Sequence, residues 1–88
     1  MMGRSEIKVF LGVDMAKGEH YAQAVTTEGK ELFNQAVRND QAALEKMLAD
    51  AAAHGPVAVV VDMTSAGAQL LLGVMAKHQV PVAYVSGW

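Results

Sequence analysis

The feature that most constrains the fold is a change of hydrophobic period near residue 39. Before it, the apolar residues form continuous or alternating runs that are typical of β-strands. After it, stretches with helical spacing alternate with short β-branched runs. Eighty-eight residues are enough for one small domain. The sequence therefore predicts a single α/β unit with the order β-β-β-α-β-α-β.

The first half predicts an antiparallel meander of three strands. The predicted strands are residues 7–13, 20–27 and 30–37. The first is nearly apolar on both faces, which is typical of a central strand, and we expect Asp14 to close it before a turn at 15–19. Glu28-Gly29 is a hairpin turn signal between the second and third strands.

The second half predicts two helices, each followed by a strand. The first helix is expected to have Asn39 or Asp40 as its N-cap and to stop at His54-Gly55, before Pro56. Its apolar stripe consists of Leu44, Met47, Leu48 and Ala51. The second helix is expected to be capped by Thr64 or Ser65, with an apolar stripe of Leu70, Leu71, Val74 and Met75 and with Lys77 and His78 in its last turn. The two strands are a buried run at 57–61 that ends on Asp62, and a short one at 82–85.

These elements predict a mixed five-stranded sheet with two helices. A right-handed crossover makes the fourth strand parallel to the first, which becomes central, and the fifth strand lies beyond the fourth. We expect this sheet to be a truncated one, because nothing in the sequence protects the fifth strand after residue 85. An exposed strand edge favours pairing with a second copy, so the chain is expected to form a homo-oligomer.

Composition excludes several classes of function. Apolar residues make up 52% of the chain and charged residues 18%, so it is globular rather than disordered. The net charge of −2 argues against a free-standing nucleic-acid-binding domain, and the lack of cysteine excludes thiolate sites. No apolar run could span a bilayer or serve as a secretory signal. The expectation is a soluble, cytoplasmic domain at 7–88 after a disordered segment at 1–6.

Two carboxylates are the best candidates for chemistry. Asp14 follows the first strand and Asp62 follows the fourth, so both should lie at the carboxyl edge of the sheet, where α/β proteins bind ligands. Two such acids repel each other unless a cation lies between them, and oxygen ligands suit Mg²⁺ or Mn²⁺. The arrangement is typical of metal-dependent phosphoryl transfer on nucleic acid.

Other interpretations of the same residues stay open. Either aspartate is also a common turn former or helix cap, which would make the chain an interaction module without catalysis. Sugar kinases and actin-like ATPases share the strand order, but their first hairpin is rich in glycine, serine and threonine, whereas here it offers Lys17 and Gly18. The three histidines, His20, His54 and His78, are too scattered for a metal cluster and are expected to be structural.

The residues also resemble a known family. Two short segments carry the resemblance: residues 10–17, Phe-Leu-Gly-Val-Asp-Met-Ala-Lys, and the later Glu28-Gly29-Lys30. Together they resemble the start of insertion-sequence transposases of the DEDD type, which include the pilin-gene invertases. The stretches 60–64 and 82–85 resemble the fourth and fifth strands of that family. The resemblance covers almost the whole chain from Ile7 onward.

This resemblance implies a RuvC-like domain with a ribonuclease-H-like fold, four acids that bind two divalent metals, and DNA strand exchange, in some members with a guide RNA. Asp14 matches the first acid, Asp62 matches the second, which is usually glutamate, and Lys17 is a weak candidate for nucleic-acid contact. The third and fourth acids would come from a later helix, and a serine nucleophile from a separate domain. The 88 residues are therefore expected to be inactive alone and to bind Mg²⁺ or Mn²⁺ only together with those later acids.

Overall fold

The computed structural model of the chain describes residues 6–16, 19–62 and 68–85. It contains one sheet of five strands in the order β3-β2-β1-β4-β5 and two helices. The elements are β1 (Val9–Ala16), β2 (Glu19–Thr26), β3 (Glu31–Arg38), α1 (Gln41–Ala52), β4 (Val57–Asp62), α2 (Ala68–Lys77) and β5 (Val82–Val85). The predicted order of elements is confirmed.

The pairing of the strands also agrees with the prediction. β1 pairs antiparallel with β2 and parallel with β4, β2 pairs antiparallel with β3, and β4 pairs parallel with β5. β2 and β3 are joined by a tight turn, in which the backbone N–H of Gly29 donates to the carbonyl oxygen of Thr26, whereas each parallel pair needs a helix to carry the chain back across the sheet. The result is the predicted α/β class, a mixed five-stranded sheet that is consistent with a ribonuclease-H-like arrangement.

One boundary differs from the prediction in a way that concerns the candidate acids. Asp14 does not close the first strand, because β1 continues to Ala16, whose cross-strand partner is Glu19. The predicted turn at 15–19 is therefore shorter, and its remaining residues, Lys17 and Gly18, lie outside the described residues. Antiparallel pairing with β2 extends the strand beyond its apolar run. Asp14 is thus an interior residue of β1 and is paired with Tyr21 of β2.

Both helices pack on the same face of the sheet, which we call the covered face. Alternate residues of β1 and β4 are buried there together with the helix stripes. These strand residues are Val9, Leu11, Val13, Val57, Val59 and Val61. The predicted stripe of α1 is confirmed in full: Leu44, Met47, Leu48 and Ala51 are all buried.

The ends of α1 follow from local chemistry. Asp40 is the N-cap, and its Oδ1 accepts a hydrogen bond of 2.8 Å from the backbone N–H of Ala43. After the helix, Gly55 has a φ of +133°, and a Cβ atom there would lie 2.8 Å from the Cβ of Lys8. Only glycine fits such a turn, because it combines left-handed backbone with a close approach to the neighbouring chain.

The stripe of α2 needs one correction. Leu71, Val74 and Met75 are buried as predicted, but Leu70 is 37% exposed, because it lies at the margin of the stripe rather than over the sheet. Lys77 is the last residue of the helix, and His78 follows it. The predicted caps Thr64 and Ser65 lie outside the described residues, as do residues 1–5.

The opposite side of the sheet, which we call the open face, carries no helix from the described part of the chain. Its side chains alternate with those of the core, and two aromatic residues there are largely exposed: Phe10 at 41% and Tyr21 at 51%. Within residues 6–16, 19–62 and 68–85, no helix is long and apolar enough to cross a membrane.

Candidate active site

Asp14 projects from the central strand onto the open face. Its neighbour Val13 is only 4% exposed on the covered face, and because side chains alternate along a strand, the carboxylate of Asp14 is exposed on the other side. The directly opposite residue in β2 is Tyr21. Pairing with Tyr21 and the buried Val13 beside it therefore fix the backbone that holds this carboxylate.

The register of β1 and β4 brings the backbones of the two candidate acids together. Val13 is paired with Val61, and Asp14 and Asp62 are the next residues in their parallel strands. Asp62 is itself paired with Val85 of β5. The side chain of Asp62 lies outside the described residues. The separation of the two carboxylates, which we expect to be about 4–8 Å from the spacing of neighbouring strands, therefore stays a prediction.

The chemistry of Asp14 fits one ligand of a divalent cation. In the described part of the chain, no lysine, arginine or histidine forms an ion pair with this carboxylate. An exposed carboxylate without a cationic partner offers the hard oxygen atoms that Mg²⁺ and Mn²⁺ prefer. Among these same residues no three acidic, histidine or cysteine side chains gather into a metal site. A cation at Asp14 would thus take most of its ligands from water, phosphate or other acids.

His20, next to Tyr21 in β2, is a residue whose importance the sequence did not indicate. It is 1% exposed on the covered face, and its Nε2 donates a hydrogen bond of 2.9 Å to Oδ1 of Asn39. Its Nδ1 is buried without a hydrogen-bond partner among the described residues. Asn39 directly precedes the N-cap of α1, so His20 ties the start of α1 to the strand that lies beside Asp14. The structural role expected for this histidine is consistent with that contact.

A second cluster lies at the other end of the parallel strands. Glu45 of α1 accepts hydrogen bonds from Lys77 (2.8 Å), His78 (2.9 Å) and Gln41 (3.1 Å). These bonds, that of Lys77 foremost, lower the pKa of Glu45 from 4.5 to about 2. The cluster borders a cavity of about 930 Å³ whose other walls are mostly apolar, among them Leu48, Ala52, Val57 and Val80. Neither Asp14 nor Asp62 lines this cavity, so it is separate from the candidate acids.

Comparison with known sequences gives one family and several relatives. Residues 11–88 match the profile of a family described as transposase, the DEDD transposases of the IS110 type. A 44.8 kDa protein of the insertion element IS116 from Streptomyces clavuligerus is 34% identical over 80 residues, which is 91% of this chain and 20% of that protein. A 42 kDa protein of IS900 from Mycobacterium paratuberculosis is 32% identical over 82 residues, or 90% of this chain and 21% of that protein. The chain spans about a fifth of the length of these relatives.

Comparison with solved structures supports the fold. The Aquifex aeolicus PPX-GPPA enzyme superimposes with a TM-score of 0.51, covering 92% of this chain and 36% of that one. The two sequences are only 11% identical, so the likeness concerns the arrangement of strands and helices alone.

Proposed function

Because the chain belongs to the IS110-type family of DEDD transposases, we propose that residues 7–88 are the amino-terminal part of a RuvC-like catalytic domain, with Asp14 and Asp62 as metal-binding acids. The proposed reaction is metal-dependent cleavage and exchange of DNA strands, carried out by a transposase polypeptide of the relatives' length. The proposal also includes the expectations stated above. These are DNA and a guide RNA as partners, assembly as a homo-oligomer, and a location in the cytoplasm.

The observation that supports this function best is the position of Asp14. Asp14 is an exposed carboxylate on the central strand and has no ion-pair partner in the described part of the chain. The residue before it, Val13, pairs with Val61, the residue before Asp62. In open α/β sheets, ligands bind at the carboxyl ends of parallel strands. A structural aspartate would be expected to cap a helix or form a turn, whereas Asp14 lies within β1.

The residues of this chain would contribute position and charge to the reaction. When bound, Mg²⁺ or Mn²⁺ would polarise a phosphoryl oxygen and neutralise charge that develops on phosphate. Asp14 would hold such a cation through its carboxylate oxygens, and Asp62 would be the second carboxylate. Asp14 is paired with Tyr21 of β2, and the preceding Val13 is paired with Val61 of β4, so regular sheet structure supports the backbone of Asp14, as a metal ligand requires.

The alternative of a sugar kinase or actin-like ATPase has only the general strand order in its favour, whereas the transposase family matches by sequence along residues 11–88.

The experiment is Asp14→Asn in a transposase polypeptide that contains this segment. We expect Mg²⁺-dependent strand cleavage to be abolished, because the amide has lost the charge that holds the cation. The thermal midpoint of the 88-residue chain should stay within the range of an ordinary surface substitution, since Asp14 is exposed.

The matched control is Glu19→Gln, which removes an exposed carboxylate at the adjoining end of β2. Cleavage should survive in that variant. Wild-type cleavage by Asp14→Asn, or equal losses in both variants, would contradict a metal-binding role for Asp14.

A further inference from the structure

Tyr21 is the residue of β2 that lies directly opposite Asp14 on the open face. Directly opposed residues of antiparallel strands have Cβ atoms about 4.5–5.5 Å apart. The partner of Tyr21 on its other side is Ala36 of β3, whose methyl group cannot cover an aromatic ring. The side chain of Tyr21 therefore neighbours that of Asp14 on the open face, and Tyr21 is 51% exposed.

Tyr21 contributes little to the core of the described structure. It is not part of the buried core, and its hydroxyl forms no hydrogen bond within residues 6–16, 19–62 and 68–85. A large aromatic side chain with an exposed ring and a free hydroxyl is the type of residue that binding surfaces favour. Tyr84 of β5 is equally exposed at 51%, but its partner Val61 is buried on the covered face, so it lies away from Asp14.

The strand next to Asp14 also carries a residue without a side chain. Gly12 lies two residues before Asp14 on the same face. A Cβ atom there would meet only the carbonyl oxygen of Gln23, at an ordinary distance of 3.9 Å. The packing of the sheet thus does not require glycine, whose effect is to leave a bare strip of backbone between Phe10 and Asp14. Such a strip allows an extended ligand to lie close to the sheet.

We propose that Tyr21 is a positioning residue for DNA: its ring stacks on a nucleobase next to the phosphate held at Asp14. This inference rests on the proposed function of Asp14. A neutral ring adds no charge to repel phosphate, and stacking tolerates any base sequence because every base has a π-face. The aromatic contact fixes the nucleotide, and the adjacent phosphate is thereby held over the carboxylate.

The main test compares Tyr21→Ala, Tyr21→Leu and Tyr21→Phe with the control Tyr84→Ala, in a transposase polypeptide that contains this segment. Loss of one stacked base weakens binding roughly 5- to 150-fold. We expect the KM for DNA to rise by that factor in Tyr21→Ala and Tyr21→Leu, with kcat nearly unchanged. Tyr21→Phe should rescue the KM to within about two-fold, because it keeps the ring. Tyr21→Leu keeps most of the side-chain bulk, so it tests the need for an aromatic ring even if the alanine variant is unstable.

A second measurement detects stacking directly. One variant carries Tyr21→Trp and another carries Tyr84→Trp, and both also carry Trp88→Phe. Indole fluorescence is then followed as a short oligodeoxythymidylate is added with Mg²⁺. Quenching at position 21 but not at position 84 is the expected result. Equal quenching at both positions, no quenching at either, or a Tyr21→Phe variant as impaired as Tyr21→Ala would overturn the inference.

The two proposals fail separately. If Asp14→Asn abolishes cleavage while Tyr21→Ala keeps the KM of Tyr84→Ala, the metal-binding role stands and the role of Tyr21 is wrong. If Asp14→Asn cleaves normally, the proposed function itself is wrong, whatever Tyr21 does.

Discussion

The covered and open faces of the sheet are made from alternate residues of the same strands, yet their side chains differ in kind. On the covered face, β1 contributes Leu11 and Val13, which are at most 4% exposed and lie under two helices. On the open face, the same strand contributes Phe10, Gly12 and Asp14, all of which are at least partly accessible. The difference indicates that the fold depends on one face, while Asp14 and Tyr21, for which functions are proposed, lie on the other.

The largest difference in stability is expected between substitutions at two neighbouring residues on opposite faces of β1. Leu11→Ala should lower the free energy of unfolding by about 2–5 kcal/mol, because Leu11 is fully buried and its loss leaves a cavity. Phe10→Ala should cost only about 1 kcal/mol or less, since the ring is 41% exposed. Urea unfolding of the 88-residue chain measures both. Equal losses would mean that the open face also supports the core.

A smaller contrast is expected in β2, between His20 and Tyr21. His20→Ala should lower the free energy of unfolding by about 2 kcal/mol, through a lost side chain in the core and a lost hydrogen bond to Asn39. Tyr21→Ala should stay within about 1 kcal/mol of the wild type, since half of its surface is in solvent.

A double-mutant cycle of His20→Ala with Asn39→Ala tests the bond itself. A coupling energy near zero would show that the His20–Asn39 contact contributes nothing and that the whole cost comes from burial.

The smallest effect concerns the polar link between the helices of the covered face. The folded-state pKa of Glu45 is lowered from 4.5 to about 2, so its stabilising contribution is present above about pH 4.5 and is lost as the pH falls towards 2. Glu45→Gln should therefore lose less stability than the wild type as the pH falls from about 4.5 to 2, because glutamine has no carboxylate to protonate. The effect is modest because the partner Lys77 is 57% exposed and the pair is screened by solvent.

Thermal unfolding between pH 2 and pH 6 provides the measurement, with Asp50→Asn as the control. Asp50 pairs with Lys46 within α1 at 3.1 Å, so its loss leaves the contact between the helices intact. Identical pH profiles for the wild type and Glu45→Gln would show that the link does not stabilise the fold.

The features that the sequence predicted well depend on local patterns. The cap at Asp40, the stripe of α1 and the turn at Gly29, where φ is +91°, all follow from residues a few positions apart. The order of the strands followed from the apolar character of the first strand and the handedness of crossovers.

The features that it missed depend on contacts between distant residues. Asp14 lies inside β1 because Met15 and Ala16 pair with His20 and Glu19 across the hairpin. The contacts of His20 with Asn39 and of Glu45 with Lys77 join residues 19 and 32 positions apart, and no periodicity indicates such partners. For the candidate site, the pairing of the strands that carry Asp14 and Asp62 was predictable, whereas the separation of their carboxylates stays a prediction. The neighbour Tyr21 requires the register of β2.

The parallel pairing of β1 with β4 has a consequence for synthesis. β1 finds its antiparallel partner β2 within a few residues, but its parallel partner begins only at Val57, after β3 and α1 have been made. Pairing between distant segments is slow, and a nascent chain emerges from the ribosome at about 5–20 residues per second. For a few seconds, the meander therefore exists with one side of its central strand unpaired. That edge, which carries Asp14, is open to strands of neighbouring nascent chains, so prompt arrival of β4 protects the strand from aggregation.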